Sequence, residues 1–258
     1  MYFELLWKSF SELPEVTAIT LGGSRAGEEY DKSSDYDLYI YCDSIPEDSV
    51  RKRILEANCS YIEQNNAFWE LEDDCTLKDG TDIDILYRDI NDIASGLEYV
   101  VEKRQPYNAY TTCIWHNILT CKALYDRDGA FFRLKERFDV PYPDELRSNI
   151  IKRGMRLLHG NLPSYDAQIL KAARRGDLVA VNHRTAAFLD TYFDVIFALN
   201  RLTHPGEKRM LQTALSKAEI LPADFEKNIN VLLDSVFTDT EMTEKALGDI
   251  ITELEKVI

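Results

Sequence analysis

The sequence predicts an α/β domain followed by an all-α helical bundle, divided near residue 106. Three observations carry that expectation. Between residues 1 and 105, short β-prone runs alternate with segments of helical spacing, the order that builds a sheet flanked by helices. After Gln105-Pro106 these give way to long amphipathic stretches punctuated by proline and glycine. Charge changes at the same border: residues 1–105 carry 24 acids and 10 bases, a net of −14, whereas residues 106–258 carry 21 acids and 20 bases, a net of −1. The expected domains are therefore 1–105 and 106–258.

Each element follows from its pattern. Helical spacing runs over 2–13 and ends at Pro14. Residues 16–21 (VTAITL) read as a strand that stops at Gly22-Gly23-Ser24. A polar loop leads to a second strand over 36–42 (YDLYIYC), and a helix over 46–58 carries Arg51-Lys52-Arg53. A strand is expected over 68–74, a turn at Lys78-Asp79-Gly80-Thr81, a strand over 83–87 (IDILY) and a helix near 90–104. In the second half, helices are expected over 110–122, 130–138, 143–158, 165–175, 177–202, 207–218, 222–237 and 240–257. Pro143-Asp144-Glu145 and Pro222-Ala223-Asp224 have the form of helix starts, with proline in the first turn and acids at the positive end of the dipole. Gly160, Pro163, Gly176 and Pro205-Gly206 mark further boundaries. No internal repeat or low-complexity segment interrupts the pattern.

Composition bounds the function. The chain has 258 residues, 45% of them hydrophobic, and a net charge of −15, which fits a globular protein and disfavours non-specific duplex binding. No apolar run approaches the roughly 20 residues of a membrane helix, and the first residues carry no basic, apolar leader. Cys42, Cys59, Cys75, Cys113 and Cys121 are odd in number and scattered, with no C-x-x-C pair, so neither a disulfide framework nor a structural zinc site is expected. These features predict a cytoplasmic protein.

The strongest chemical signal is Leu21-Gly22-Gly23-Ser24, ten residues, then Asp35-Tyr36-Asp37. Glycines without Cβ atoms let the backbone approach a phosphate closely, Ser24 adds a hydroxyl, and residues 25–30 can present amides to an anion. Asp35 and Asp37 stand two apart on an incoming strand and share a face. Paired carboxylates are hard oxygen ligands, suited to Mg²⁺ held together with nucleotide phosphates.

These residues resemble the signature of the polymerase-β-like nucleotidyltransferase superfamily, in which a Gly-Gly or Gly-Ser bend precedes Asp-hydrophobic-Asp/Glu. The resemblance covers about residues 16–90 and implies a mixed sheet flanked by helices. It also implies a third carboxylate on a later strand between hydrophobic residues. Ile83-Asp84-Ile85 matches that pattern, so the role passes to Asp84, with Asp82 two positions earlier as the alternative or a helper. A more extended likeness runs through Ala172-Ala173-Arg174-Arg175-Gly176-Asp177, Phe197-Ala198-Leu199-Asn200-Arg201 and Pro205-Gly206-Glu207-Lys208-Arg209. It is similar to the helical domain of an uncharacterised bacterial family related to aminoglycoside and lincosamide nucleotidyltransferases. That resemblance implies triphosphate contacts from Lys208, Arg209 and Arg201 and a polar contact from Asn200. The alternative is that these are surface charges and a helix C-cap before the Pro205-Gly206 turn.

Other signals have plainer readings. Asp126-Arg127-Asp128-Gly129 has the opening of a calcium loop or of a phosphoaspartyl site, but Phe131-Phe132-Arg133 lacks the further ligands, and a turn starting the next helix accounts for it. His116 is a half-buried helix histidine or a pocket residue, and His159, His183 and His204 show no metal spacing. Glu70, Glu72 and Asp74 share one face of the 68–74 strand, with Trp69 and Leu71 on the other, as a solvated face or as an acidic wall for a polyamine-like substrate.

The expected reaction is transfer of a nucleoside monophosphate from ATP or another NTP to a hydroxyl, with pyrophosphate leaving. Asp35 and Asp37 hold Mg²⁺, and Asp84 completes the metal shell or accepts the hydroxyl proton. Gly22, Gly23 and Ser24 seat the β- and γ-phosphates, with Arg25 as a cationic helper. A cationic, aminoglycoside-like small molecule suits the acidic half as acceptor. A protein hydroxyl, or a silent nucleotide-binding role, is the alternative. No basic stripe with interleaved aromatics is present, which argues against templated nucleic-acid synthesis.

Overall fold

The computed structural model describes residues 1–26, 34–67 and 70–258, arranged in two compact units. The first comprises Met1–Glu98 and Asn117–Val140, and the second comprises Tyr99–His116 and Pro141–Ile258. The first unit is thus discontinuous, taking in a segment beyond the composition border near residue 106.

The first unit is built on a six-stranded sheet of order β3-β4-β5-β2-β1-β6. Its strands are β1 (Val16–Gly22), β2 (Tyr36–Cys42), β3 (Cys59–Asn66), β4 (Glu72–Leu77), β5 (Asp82–Arg88) and β6 (Lys122–Asp126). β2 and β5 run parallel and every other neighbour pair runs antiparallel, so the sheet is mixed. Strand alternation separates its two faces. Leu38 and Ile40 of β2, Ile83 and Ile85 of β5, and Cys75 and Leu77 of β4 join one core with Leu6 and Phe10 of α1 (Tyr2–Ser11) and Leu55 of α2 (Asp48–Asn58). Leu6, Phe10 and Leu55 have no exposed surface, and truncating an aromatic at such a site costs about 3–5 kcal/mol.

That core also contains an ion pair. The Arg51 guanidinium of α2 donates to both oxygens of Asp73 at 2.7 Å, and Tyr87 Oη donates to Asp73 Oδ2 at 2.8 Å. The Asn65 amide adds a further bond to Asp73 at 3.0 Å. Asp73 therefore lies on the helix-covered face, and its neighbour Asp74 on the other.

α3 (Ile90–Leu97) is capped by Asp89, whose side chain accepts from the Asn91 amide, and continues as a π-helical turn over Glu98–Glu102. α4 (Cys113–Thr120) spans the division between the units, and α5 (Ala130–Phe138) follows β6. The amides of Phe131 and Phe132 donate to Asp126, so the Asp126-Arg127-Asp128-Gly129 stretch starts a helix, as the plainer reading expects.

The second unit is helical: α6 (Asp144–Leu158), α7 (Tyr165–Ala173), α8 (Leu178–Leu199), α9 (Met210–Lys217), α10 (Phe225–Ser235) and α11 (Thr240–Glu255). α8 is its axis, since every residue from Thr191 to Leu199 is buried. α6 packs closely on it at Gly154, where a Cβ would overlap Val195 of α8. Asp177 and Asp239 cap α8 and α11 by accepting from the amides of Ala180 and Met242. Among the described residues no helix is long and apolar enough to cross a membrane.

Sequence expectation and structure differ in three places. The strand expected over 68–74 lies later, at Glu72–Leu77, and Phe68 and Trp69 fall outside the described residues. β3 was not expected, because Cys59-Ser60-Tyr61-Ile62-Glu63-Gln64-Asn65-Asn66 is a polar edge strand with few apolar positions to alternate. The helix expected over 110–122 is shorter, and β6, half-exposed at the opposite edge, begins within it.

Candidate active site

On the sheet face away from α1 and α2, pairing register brings separate parts of the sequence into one row. Gly22 of β1 faces Asp37 of β2, Asp37 faces Asp84 of β5, Asp84 faces Asp74 of β4, and Asp74 faces Glu63 of β3. Paired residues in a sheet share a face, so this row holds four acids beside the glycine bend.

The bend fits closely against the row. Gly23 has φ +60°, a left-handed conformation that glycine adopts without strain, and a Cβ there would overlap the Asp37 carboxylate. A Cβ on Gly22 would meet the Tyr39 ring. Both glycines are therefore required where they stand. Ser24 opens a short 3-10 turn, Ser24–Ala26. Of residues 25–30, those from 27 onward lie outside the described residues. The Arg25 guanidinium lies over the Tyr36 ring, 4.0 Å from its centroid, and its Nε donates to Ser34 O at 2.7 Å. It thus ties together the two ends of the segment between bend and β2, while Phe3 stacks on Tyr36 at 4.0 Å.

Asp84 is the carboxylate in register with Asp37. Its pKa is pushed up to about 6, first by burial and then by the charges of Asp37, Asp74, Asp35 and Glu72. Those causes place Asp35 in the same electrostatic cluster. Asp82 instead is exposed and accepts from Thr76 Oγ1 at 2.8 Å. Glu72 is raised by burial and by Asp74 and Glu70. Asp74 accepts from Asn66, and Glu63 accepts from Tyr61, which holds its carboxyl below the usual range. An open cleft of ≈ 520 Å³ runs along the row, lined by Asp35, Asp84, Asp74, Asp82, Glu63 and Tyr61 among others. Among the described residues no three His, Cys, Asp or Glu side chains are gathered at chelating geometry. Like charges on neighbouring strands repel. The donors are nonetheless all carboxylate oxygens, the chemistry that fits a hard divalent cation.

Glu70 is not part of the wall expected at 70, 72 and 74. It precedes β4 and pairs with the buried Arg88, accepting from Nε at 2.6 Å and Nη2 at 2.7 Å, while Arg88 also lies over Tyr39. Asp74 shares a strand face with Glu72, as expected, but its place in the row, like that of Glu63, is not read from the sequence. Their signal is the pairing of β3 with β4, which no local pattern announces.

In the second unit, Asn200 and Arg201 are engaged in structure. Asn200 donates to Ile196 O and Ile220 O and accepts from the Ile220 amide, and Arg201 pairs with Asp144 at 2.6 Å. Lys208 and Arg209 lie at the start of α9, where Arg209 is the N-cap residue with φ 60°. His116 bonds Thr203 Oγ1 at 2.7 Å, and His159 pairs with Asp166. His204 is fully buried between Tyr110 and Phe197, and burial drives its pKa down to about 3.

A family model described as a nucleotidyltransferase domain matches residues 4–107, and one described as a domain of unknown function, DUF4037, matches residues 110–210. No curated protein matches the chain. Among solved structures, a nucleotidyltransferase-like protein from Exiguobacterium sibiricum is 9% identical, with 95% of this chain and 72% of that one covered at a TM-score of 0.46. An aminoglycoside 6-adenyltransferase from Bacillus subtilis is also 9% identical, covering 99% of this chain and 87% of that one at a TM-score of 0.32. At those scores neither likeness bears on the site. Residues 4–107 are a nucleotidyltransferase domain on the strength of the family match.

Proposed function

Residues 4–107 being a nucleotidyltransferase domain, we propose that the chain transfers a nucleoside monophosphate from an NTP to a hydroxyl of a cationic small molecule, with Mg²⁺ held by Asp35, Asp37 and Asp84. The observation that carries this reading is the close approach of the Gly23 backbone to the Asp37 carboxylate, in register with Asp84. It sets a phosphate seat against a cation seat.

Mg²⁺, when bound, neutralises charge on the triphosphate and on the leaving group. Asp35, Asp37 and Asp84 would hold it, at a position where burial first and then the neighbouring carboxylates raise the Asp84 pKa. Gly22, Gly23 and Ser24 offer backbone and hydroxyl donors to the β- and γ-phosphates. Arg25, held by Ser34 and Tyr36, is the cationic helper beside the bend. The acceptor oxygen bonds to the α-phosphorus as the bond to the β-phosphate oxygen breaks, and pyrophosphate leaves. The hydroxyl proton passes to Asp84, or to solvent where Asp84 is held as a ligand. Asp74, Glu63 and Asp82 extend the negative wall along the cleft beyond the three ligands, which favours an acceptor bearing ammonium groups.

The test is incubation with each labelled NTP, Mg²⁺ and a panel of aminoglycoside-like, neutral and protein acceptors, read by mass. Label on a cationic small molecule, with salt-sensitive KM, is the expected result. Label on a protein hydroxyl moves the acceptor to that alternative. Binding of NTP and Mg²⁺ without pyrophosphate release, against every acceptor, overturns the transferase reading.

A further inference from the structure

The second unit holds a cleft of ≈ 630 Å³ formed by one face of α6 and the segments near 105 and 162. Its size falls in the range of small-molecule sites. Lys152, Arg153 and Arg156 project from α6 into its lining, spaced so that a single helix face presents all three, and no carboxylate lines it. In a chain of 45 acids and 30 bases, three such cations attract counter-charges from the chain itself. Yet among the described residues none of the three has a carboxylate within ion-pair distance.

The cleft is held in shape by neutral bonds. Arg153 Nε donates to Asn108 Oδ1 at 3.0 Å, which aims the guanidinium without neutralising it. Asn149 Nδ2 donates to Arg104 O at 2.9 Å and fastens the 104–106 segment to α6. Gln105 and Asn161 add amides to the lining, and Leu162, 95% exposed, forms an apolar mouth with Pro163.

We propose that this cleft binds a small phosphate-bearing anion of at least two negative charges. Guanidinium forks match phosphate oxygens bidentately, and Lys152 supplies a compact point charge beside them. Amides and an apolar mouth give room for an attached organic part. This site shares no residue with the row on the sheet and does not depend on the transfer reaction.

The experiment is calorimetric titration of the full chain in EDTA, which removes divalent cations, with inorganic pyrophosphate and with AMP as probes. The variants are Lys152→Ala/Arg156→Ala, Arg156→Lys, and Asp37→Asn as control, with circular dichroism checking that each folds. Saturable binding is expected, weakened about tenfold or more in the double variant, partly kept in Arg156→Lys and unchanged in Asp37→Asn. Tighter AMP than pyrophosphate assigns an organic phosphate, and the reverse an inorganic one. Absence of saturable binding by either probe overturns the proposal, as does binding that the double variant leaves intact. Preference for a single-stranded RNA oligomer that neither probe displaces overturns it as well.

Discussion

Two clefts of similar size carry opposite charge. The one on the sheet, ≈ 520 Å³, is lined by acids, and the one on α6, ≈ 630 Å³, by bases. They also differ in construction. The acidic lining gathers Glu63 of β3, Asp74 of β4, Asp82 and Asp84 of β5 and Asp35 just before β2, whereas the basic one comes chiefly from a single helix. A site assembled from many strands places donors with the precision of a hydrogen-bonded ladder, which catalysis needs. A site on one helix face presents charge cheaply and tolerates approximate fit, which suffices for binding. The near-zero net charge of residues 106–258 thus hides a local segregation that the total does not reveal.

The largest test of this contrast removes a proposed cation ligand. Asp37→Asn or Asp35→Asn is expected to cut Mg²⁺-dependent transfer about a thousandfold or more with the fold intact, measured with labelled NTP. Retained turnover would leave the acidic cleft without its assigned role. Next comes a contrast within one strand. Asp73→Ala leaves Nη1 of the buried Arg51 without its acceptors, Asp48 remaining on Nη2, and should cost about 3 kcal/mol in urea denaturation. Asp74→Ala, one residue on and facing the cleft, should stay within about 0.5 kcal/mol. Equal effects would mean that the two faces are not distinct. Gly23→Ala forces a side chain into a left-handed conformation and onto Asp37, for about 1–3 kcal/mol and a loss of transfer.

A smaller effect concerns pH. The Asp84 pKa rises from 3.8 to about 6 on folding, so folding favours its protonated form. The stability tied to that proton is complete below about 3.8 and is lost as pH rises to about 6. Asp84→Asn should therefore stabilise the fold at pH 7 in EDTA by on the order of 1 kcal/mol, read as a higher Tm, once solvent screening of this half-exposed group is counted. A lowered Tm would show that the row is not under electrostatic load.

How much of this was legible depended on whether the signal was local. The bend at Gly22-Gly23-Ser24 and the pair at Asp35 and Asp37 lie within one short stretch, and β2 falls on the residues expected, Tyr36–Cys42. The helices of the second unit were legible because each carries its own apolar periodicity and breakers. α5 matches its expected span, and α6 and α11 lie within theirs. Asp74 and Glu63 were not legible as row members, because membership depends on which strands pair, and β3 offers too few apolar residues to declare itself. Glu70 shows the converse. Its spacing matched the wall, but Arg88, distant in sequence, claims it. Lys152, Arg153 and Arg156 fall on one face of α6 by helical spacing, but spacing alone does not mark them as a site. What sequence could not supply was the absence of carboxylate partners around it.

The overlap that any side chain at position 23 would make with Asp37 couples two residues well apart in the sequence. Enlarging the first can be accommodated only by shrinking the second, and shrinking the second removes a proposed cation ligand. Changes at these two sites should therefore show strong epistasis, with no single-step route by which the pair drifts while the enzyme stays active. An inactive descendant, by contrast, would be free to lose both.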